Sequence, residues 1–231
     1  MNKLLSFKTL KNKIQVQETV GMENPFHYRN KAQYPFAMTK QGIIAGFYAS
    51  KTHNVVPAFD CALQPKIFGD SRGYFCETYN KKRYQDAGIM QEFCQDNLSC
   101  STYGVIRGLH YQLHPESQSK LVSVVEGKVF DVAVDLRKDS PTFGKWHGVI
   151  LDAESKTQFL IPQGFAHGFS VLSERAVFTY KCDNLYNPSL EGGIRLDDPD
   201  LHIDWMIPVE KRIISEKDTK HPFLKDIITN F

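Results

Sequence analysis

Residues 120–136, KLVSVVEGKVFDVAVDL, decide the fold. Leu121–Val125 and Val129–Leu136 are apolar and rich in β-branched residues, so both read as strands. Glu126-Gly127 between them reads as a hairpin turn. Downstream, Gly148–Leu151, Gln158–Ile161, Phe169–Leu172 and Ala176–Lys181 continue the series. Polar turns at Asp152–Lys156, Pro162-Gln163-Gly164 and Ser173-Glu174 separate them. Upstream the pattern is mainly β from Ile67, with a short helix predicted over Tyr84–Met90. Many short strands with short polar connections predict an all-β sandwich or barrel. No strand–helix–strand alternation is present, which excludes a Rossmann domain.

Residues 1–64 read differently. They carry eight Lys/Arg against three Asp/Glu, a net of +5, while the remainder carries 20 against 23, a net of −3. The segment contains two apolar, strand-like runs, Gly42–Ala49 and Val55–Ala58, and a polar, aromatic stretch over Asn24–Lys31 that resembles a loop. The whole chain of 231 residues is only +2, so its bulk charge calls for neither nucleic acid nor an anionic membrane. Its five cysteines form no CxxC pair and no zinc-finger spacing, which fits free thiols in a reducing compartment. MNKLLSFKTLKNKIQ is too broken by Lys and Asn for a secretory leader, and no apolar run approaches the roughly 18 residues of a membrane span. A cytoplasmic protein without membrane segments is expected.

The chemistry-bearing residues cluster in the β-rich part. In Arg107-Gly108-Leu109-His110-Tyr111-Gln112, His110 is either a core histidine or a base. Arg107 and Lys120 nearby favour an anionic ligand, because buried cations are costly without one. Ile161-Pro162-Gln163-Gly164-Phe165-Ala166-His167 has the Pro-x-Gly-x-x-His form of a second cupin motif. Metal-bearing cupins pair that motif with His-x-His and Glu. Here Tyr111 and Gln112 follow His110, leaving only His114 and Glu116 as substitutes, and no metal is expected. In Phe178-Thr179-Tyr180-Lys181, alternation places Phe178 and Tyr180 on one face, so Tyr180 is a core tyrosine or a phenol aimed into a cavity. Arg72, after Gly69-Asp70-Ser71, is a solvated turn arginine or a phosphate clamp.

Together these motifs resemble the dTDP-4-dehydrorhamnose 3,5-epimerases. The matching stretches are PKIFGDSRGYFCETYN, QDNLSCSTYGVIRGLHYQL, SKLVSVVEGKVFDVAVDLRKDSPTFGKW, IPQGFAHGFSVLSE, YKCDNLYNP and ISEKD, in the family's order across 65–218. The resemblance implies a metal-free cupin barrel, a double-stranded β-helix of jelly-roll form with a few short helices, spanning 65–231 and usually a homodimer. It implies a dTDP-4-keto-6-deoxyhexose substrate and no cofactor. Carried over by motif, His110 is the general base, Asp218 its partner, Tyr180 the proton donor and Lys120 the cation beside the developing enolate. Arg72, Glu77, Gln95, Asp96, Asn97, Arg107, His167, Tyr186, Glu191 and Lys217 match substrate-binding positions. Arg72 and Arg107 fall to the diphosphate and Tyr186 to the thymine base.

The N-terminal segment departs from that pattern. GMENPFHYRNKAQYPF, GIIAGFYASKTHNVVP and FDCALQ resemble a fragment of the bacterial RNA uracil-5-methyltransferases, over about 13–64. The fragment lacks that family's cofactor-binding domain and catalytic cysteine. Residues 1–64 are therefore expected to be a non-catalytic extension, joined near Cys61–Gln64, with no retained nucleic-acid partner.

Overall fold

The computed structural model describes residues 65–231, together with the backbone of 36–39, 42–48 and 55–57. In the N-terminal part, β1 (Phe36–Thr39), β2 (Gly42–Tyr48) and β3 (Val55–Pro57) form a three-stranded antiparallel sheet in that order. Two of these strands fall on the runs expected from the sequence. The loop expected over Asn24–Lys31 and the junction at Cys61–Gln64 lie outside the described residues.

The rest is built from strands. β4 (Lys66–Asp70) and β5 (Gly73–Glu77) pair as a hairpin, followed by the helix α1 (Lys81–Asp86). Then come β6 (Gln95–Thr102), β7 (Val105–Gln112), β8 (Lys120–Glu126) and β9 (Lys128–Asp135). β10 (Trp146–Asp152), β11 (Gln158–Ile161), β12 (Phe165–Val171) and β13 (Arg175–Cys182) follow. β14 (Glu191–Gly193), β15 (Ile213–Ile214) and the one-turn helix α2 (Glu216–Thr219) complete the set. The larger sheet has the order β10-β9-β12-β7-β14, with β15 parallel to β7. The smaller has the order β11-β8-β13-β6. Facing sheets with this crossing connectivity form the expected jelly roll.

The decisive stretch is not a hairpin. β8 pairs with β11 and β13, whereas β9 pairs with β10 and β12, so Glu126-Gly127 is a corner between sheets. Gly127 makes the corner possible: its φ is +79°, and a Cβ there would meet the Arg175 carbonyl oxygen at 2.0 Å. Both flanking runs looked alike because both sheets contribute to one core. Val122, Val124 and Phe178 of the smaller sheet pack against Val129, Ala133, Phe169 and Val171 of the larger.

β9 is buried almost throughout because the larger sheet is covered on both faces. Its Phe130, Val132 and Val134 meet Leu196, Leu201 and Trp205 of the C-terminal segment on the outer side. Asp131 therefore lies on the inner face, with Val129 and Ala133. The short helix is also shifted from Tyr84–Met90 to Lys81–Asp86. Asn80 caps it by accepting from the Arg83 amide at 3.2 Å, and Gly88, at φ +89°, follows its end.

Candidate active site

The site is built on the inner faces of the two sheets. On the larger sheet, Arg107 pairs with Phe169 and His110 with His167. Two residues of β7, Gly108 and Leu109, thus stand opposite one of β12, Gly168, a bulge. A regular strand would send residues 107 and 110 to opposite faces. The bulge puts both on the face of His167 and Phe169, while Ile106, Leu109 and Tyr111 go to the outer core. On the smaller sheet, β13 turns Phe178, Tyr180 and Cys182 inward. Tyr180 lies beside Val122 and Cys182 beside Lys120. His110 and Tyr180 thus lie on the inner faces of the two facing sheets.

His110 is held by α2. Its Nε2 lies 2.7 Å from Asp218 Oδ1. Ser215 caps the helix by accepting from the Asp218 amide at 3.1 Å, which fixes the buried carboxylate. Burial alone would raise the Asp218 pKa. Hydrogen bonds from His110, Ser215 and the Gly108 backbone outweigh it and hold the carboxyl below its usual range.

The opposite wall has the reverse bias. Burial pushes the Tyr180 phenol above its ordinary pKa and the Lys120 amine below its own. The Lys120 Nζ lies 5.9 Å from the centre of the Tyr180 ring. One sheet thus carries a phenol near an amine and the other an imidazole backed by a carboxylate. Such an arrangement can take a proton from one side of a substrate and supply one from the other.

On the same sheet as His110, His167 Nε2 lies 3.0–3.1 Å from both carboxylate oxygens of Asp131. Burial is the largest influence on this pair and favours the neutral forms, raising Asp131 and lowering His167. Asp131 was not foreseen. A lone acid inside the apolar run VFDVAV was its signal, since a buried carboxylate needs a partner.

The mouth of the cleft carries a polar chain. Tyr186 Oη donates to Glu191 Oε2 at 2.8 Å, and Lys217 Nζ reaches the same oxygen at 2.5 Å. The Tyr186 amide donates to Gln95 Oε1 at 2.9 Å, and Gln95 Nε2 donates to Asn97 Oδ1 at 3.0 Å. Buried Gln112, a second unforeseen residue, fastens this loop by bonding the Leu185 carbonyl and the Asn187 amide. Arg107 Nε donates to Ser101 Oγ at 3.2 Å on the inner face.

Three expected binding residues lie elsewhere in the monomer. Asp96 alternates with Gln95 and Asn97, so it faces outward and pairs with Lys181 at 2.8 Å. Arg72 sits on the β4–β5 turn, paired with Asp70. Glu77 bonds Arg83 and Asn80 at the end of that hairpin. His114, offered as a substitute metal ligand, lies beside Phe231, and its backbone N–H and carbonyl bond the side-chain amide of Asn230. Among the described residues, His110, Asp218 and His221 bring three potential ligand atoms within 4.8 Å of one another.

The jelly-roll barrel, with His110–Asp218 and Tyr180 on its inner faces, is of the cupin type. Residues 60–226 match the sequence profile of dTDP-4-dehydrorhamnose 3,5-epimerase. The chain belongs to that family. It is 56% identical over 157 residues to the dTDP-4-dehydrorhamnose 3,5-epimerase of Shigella flexneri, covering 68% of this chain and 86% of that protein. The Methanothermobacter thermautotrophicus protein of the same name is 51% identical, covering 68% and 84%. Among solved structures, the Legionella pneumophila dTDP-6-deoxy-D-glucose-3,5-epimerase RmlC, in complex with dTDP-4-keto-L-rhamnose, superposes with a TM-score of 0.69 at 54% identity. That match covers 71% of this chain and 87% of the other. ChmJ, a 3'-monoepimerase from Streptomyces bikiniensis, superposes with a TM-score of 0.65 at 34% identity, covering 70% and 81%.

Proposed function

We propose that the protein epimerises carbons 3 and 5 of dTDP-4-dehydro-6-deoxy-D-glucose, giving dTDP-4-dehydro-L-rhamnose. The observation that carries this reading is the placement of His110–Asp218 and Tyr180 on opposing walls. A C–H beside a ketone is weakly acidic because its conjugate base is an enolate. Inversion requires removal of the proton from one face and return to the other. With Nε2–H donated to Asp218, the other nitrogen of His110 keeps its lone pair for the substrate proton. Asp218 then stabilises the imidazolium. Lys120 offsets charge on the enolate oxygen, and Tyr180 protonates the carbon from the far side.

Arg107, His167, Gln95, Asn97, Tyr186, Glu191 and Lys217 line the path that a nucleotide diphosphate would take from sugar to base. The homodimer implied by the family resemblance finds support in the exposed Phe68, Tyr74 and Phe75 of the β4–β5 hairpin, apolar groups of the kind an interface covers. Cytoplasmic residence is supported by free Cys76, Cys94, Cys100 and Cys182. Among the described residues, no helix is long and apolar enough to cross a membrane.

The test is incubation with dTDP-4-dehydro-6-deoxy-D-glucose in deuterium oxide. Deuterium at both carbons 3 and 5 is expected. Label at one carbon alone would make the protein a mono-epimerase, and label at neither would reject the proposal.

A further inference from the structure

Beside the His110–Asp218 pair lies an imidazole that the proposed reaction does not use. His221 follows α2, and its ring is wedged against β14. A Cβ added to Gly193 would stand 2.5 Å from His221 Nε2. The ring also meets that of His110 edge-on, with centroids 5.5 Å apart. This confinement leaves His221 Nε2 buried and without a hydrogen-bond partner. It lies 3.7 Å from Asp218 Oδ1, the oxygen that His110 holds at 2.7 Å. A buried, unpaired imidazole nitrogen beside a carboxylate calls for a ligand.

We propose that His110, Asp218 and His221 form an inhibitory site for a divalent ion of the zinc class. Two imidazole nitrogens and one carboxylate oxygen are a donor set that zinc prefers. All three donor atoms lie within 4.8 Å of one another. Zinc bonds of about 2.0–2.1 Å reach all three once the His110–Asp218 contact opens and the farthest pair of donor atoms draws in to within about 4 Å. The His110 side chain is 29% exposed, so the ion enters from the cleft and keeps an open position toward it. Lys217, the neighbouring cation, is held away by Glu191.

The consequence for activity rests on the assignment of His110 as base. An ion bound at Nε2 takes the lone pair at that nitrogen, and the ring proton moves from Nε2 to the other nitrogen. No proton is gained or lost overall. The lone pair that would receive the substrate proton is now an N–H, and the base is disabled.

Cobalt(II) titration of the purified protein tests the site, because a tetrahedral nitrogen–oxygen environment gives an intense visible absorption. One cobalt per chain is expected, displaced by one zinc, with deuterium exchange falling in parallel. His221→Gln should weaken zinc binding by at least about tenfold while metal-free exchange persists. His110→Gln should lose the cobalt spectrum. His221→Asn serves as a second variant, with thermal melting of both to confirm folding. Equal zinc affinity in the wild type and a folded His221 variant would overturn the proposal, as would the absence of one-to-one binding. A wild-type cobalt spectrum in a protein with no metal-free exchange would instead reject the functional reading and leave the site standing.

Discussion

At the scale of residues, environment sets opposite tendencies on the two walls of the cleft. Burial lowers the pKa of Lys120 and raises that of Tyr180. As pH rises, Lys120 therefore loses its charge below the usual lysine range, while Tyr180 keeps its proton beyond the usual tyrosine range. The alkaline fall in kcat/KM is thus expected to belong to Lys120. Lys120→Arg should slow the reaction but move that limb upward, since guanidinium stays charged. An unmoved limb would assign it to another group. His110, Tyr180 and Lys120 were legible because each stood in a motif. Asp131, Gln112 and His221 were not, since their roles arise from contacts with residues distant in sequence, His167, Leu185 and His110 respectively. No local spacing reports such contacts. For Asp131 and Gln112, the only local trace is a polar residue in an apolar run.

At the scale of elements, two features hold the site's geometry: the corner at Gly127 and the turn after β9. Gly127→Ala forces a Cβ against the Arg175 carbonyl at a positive φ. It should cost more than about 1 kcal/mol, read as a lower denaturant midpoint. Asp135, 1% exposed, ends β9. Burial opposes its charge, but hydrogen bonds from Arg137, Ser140 and Thr142 win and depress its pKa from 3.8 to about 2. A depressed carboxylate stabilises the fold fully above its unfolded pKa and loses that contribution as pH falls toward the folded one. Asp135→Asn should remove up to about 2 kcal/mol near neutral pH, with the difference from wild type shrinking between pH 4 and 2. Chemical denaturation at stepped pH checks this; a constant gap would contradict it. Strand positions were readable from apolar runs, but strand partners were not. Two buried runs around Glu-Gly look the same whether they pair or separate, and only the sheet-to-sheet core distinguishes them. The β7 bulge was equally hidden, because Arg107 and His110 share a face only through an irregular register.

At the scale of the molecule, the family's fold and the sequence motifs meet in residues 65–231, where the barrel supplies two walls for one substrate. In the proposed reaction the two sheets divide the labour, His110 removing the proton and Tyr180 returning one. The most direct measurement compares His110→Ala and Tyr180→Phe in deuterium oxide, following isotope and configuration at carbons 3 and 5 separately. His110→Ala should lose exchange by about a hundredfold or more. Tyr180→Phe should still exchange at a carbon whose configuration it fails to invert. If the two variants lose exchange and inversion equally, or if His110→Ala still exchanges at the wild-type rate, the assignment is wrong.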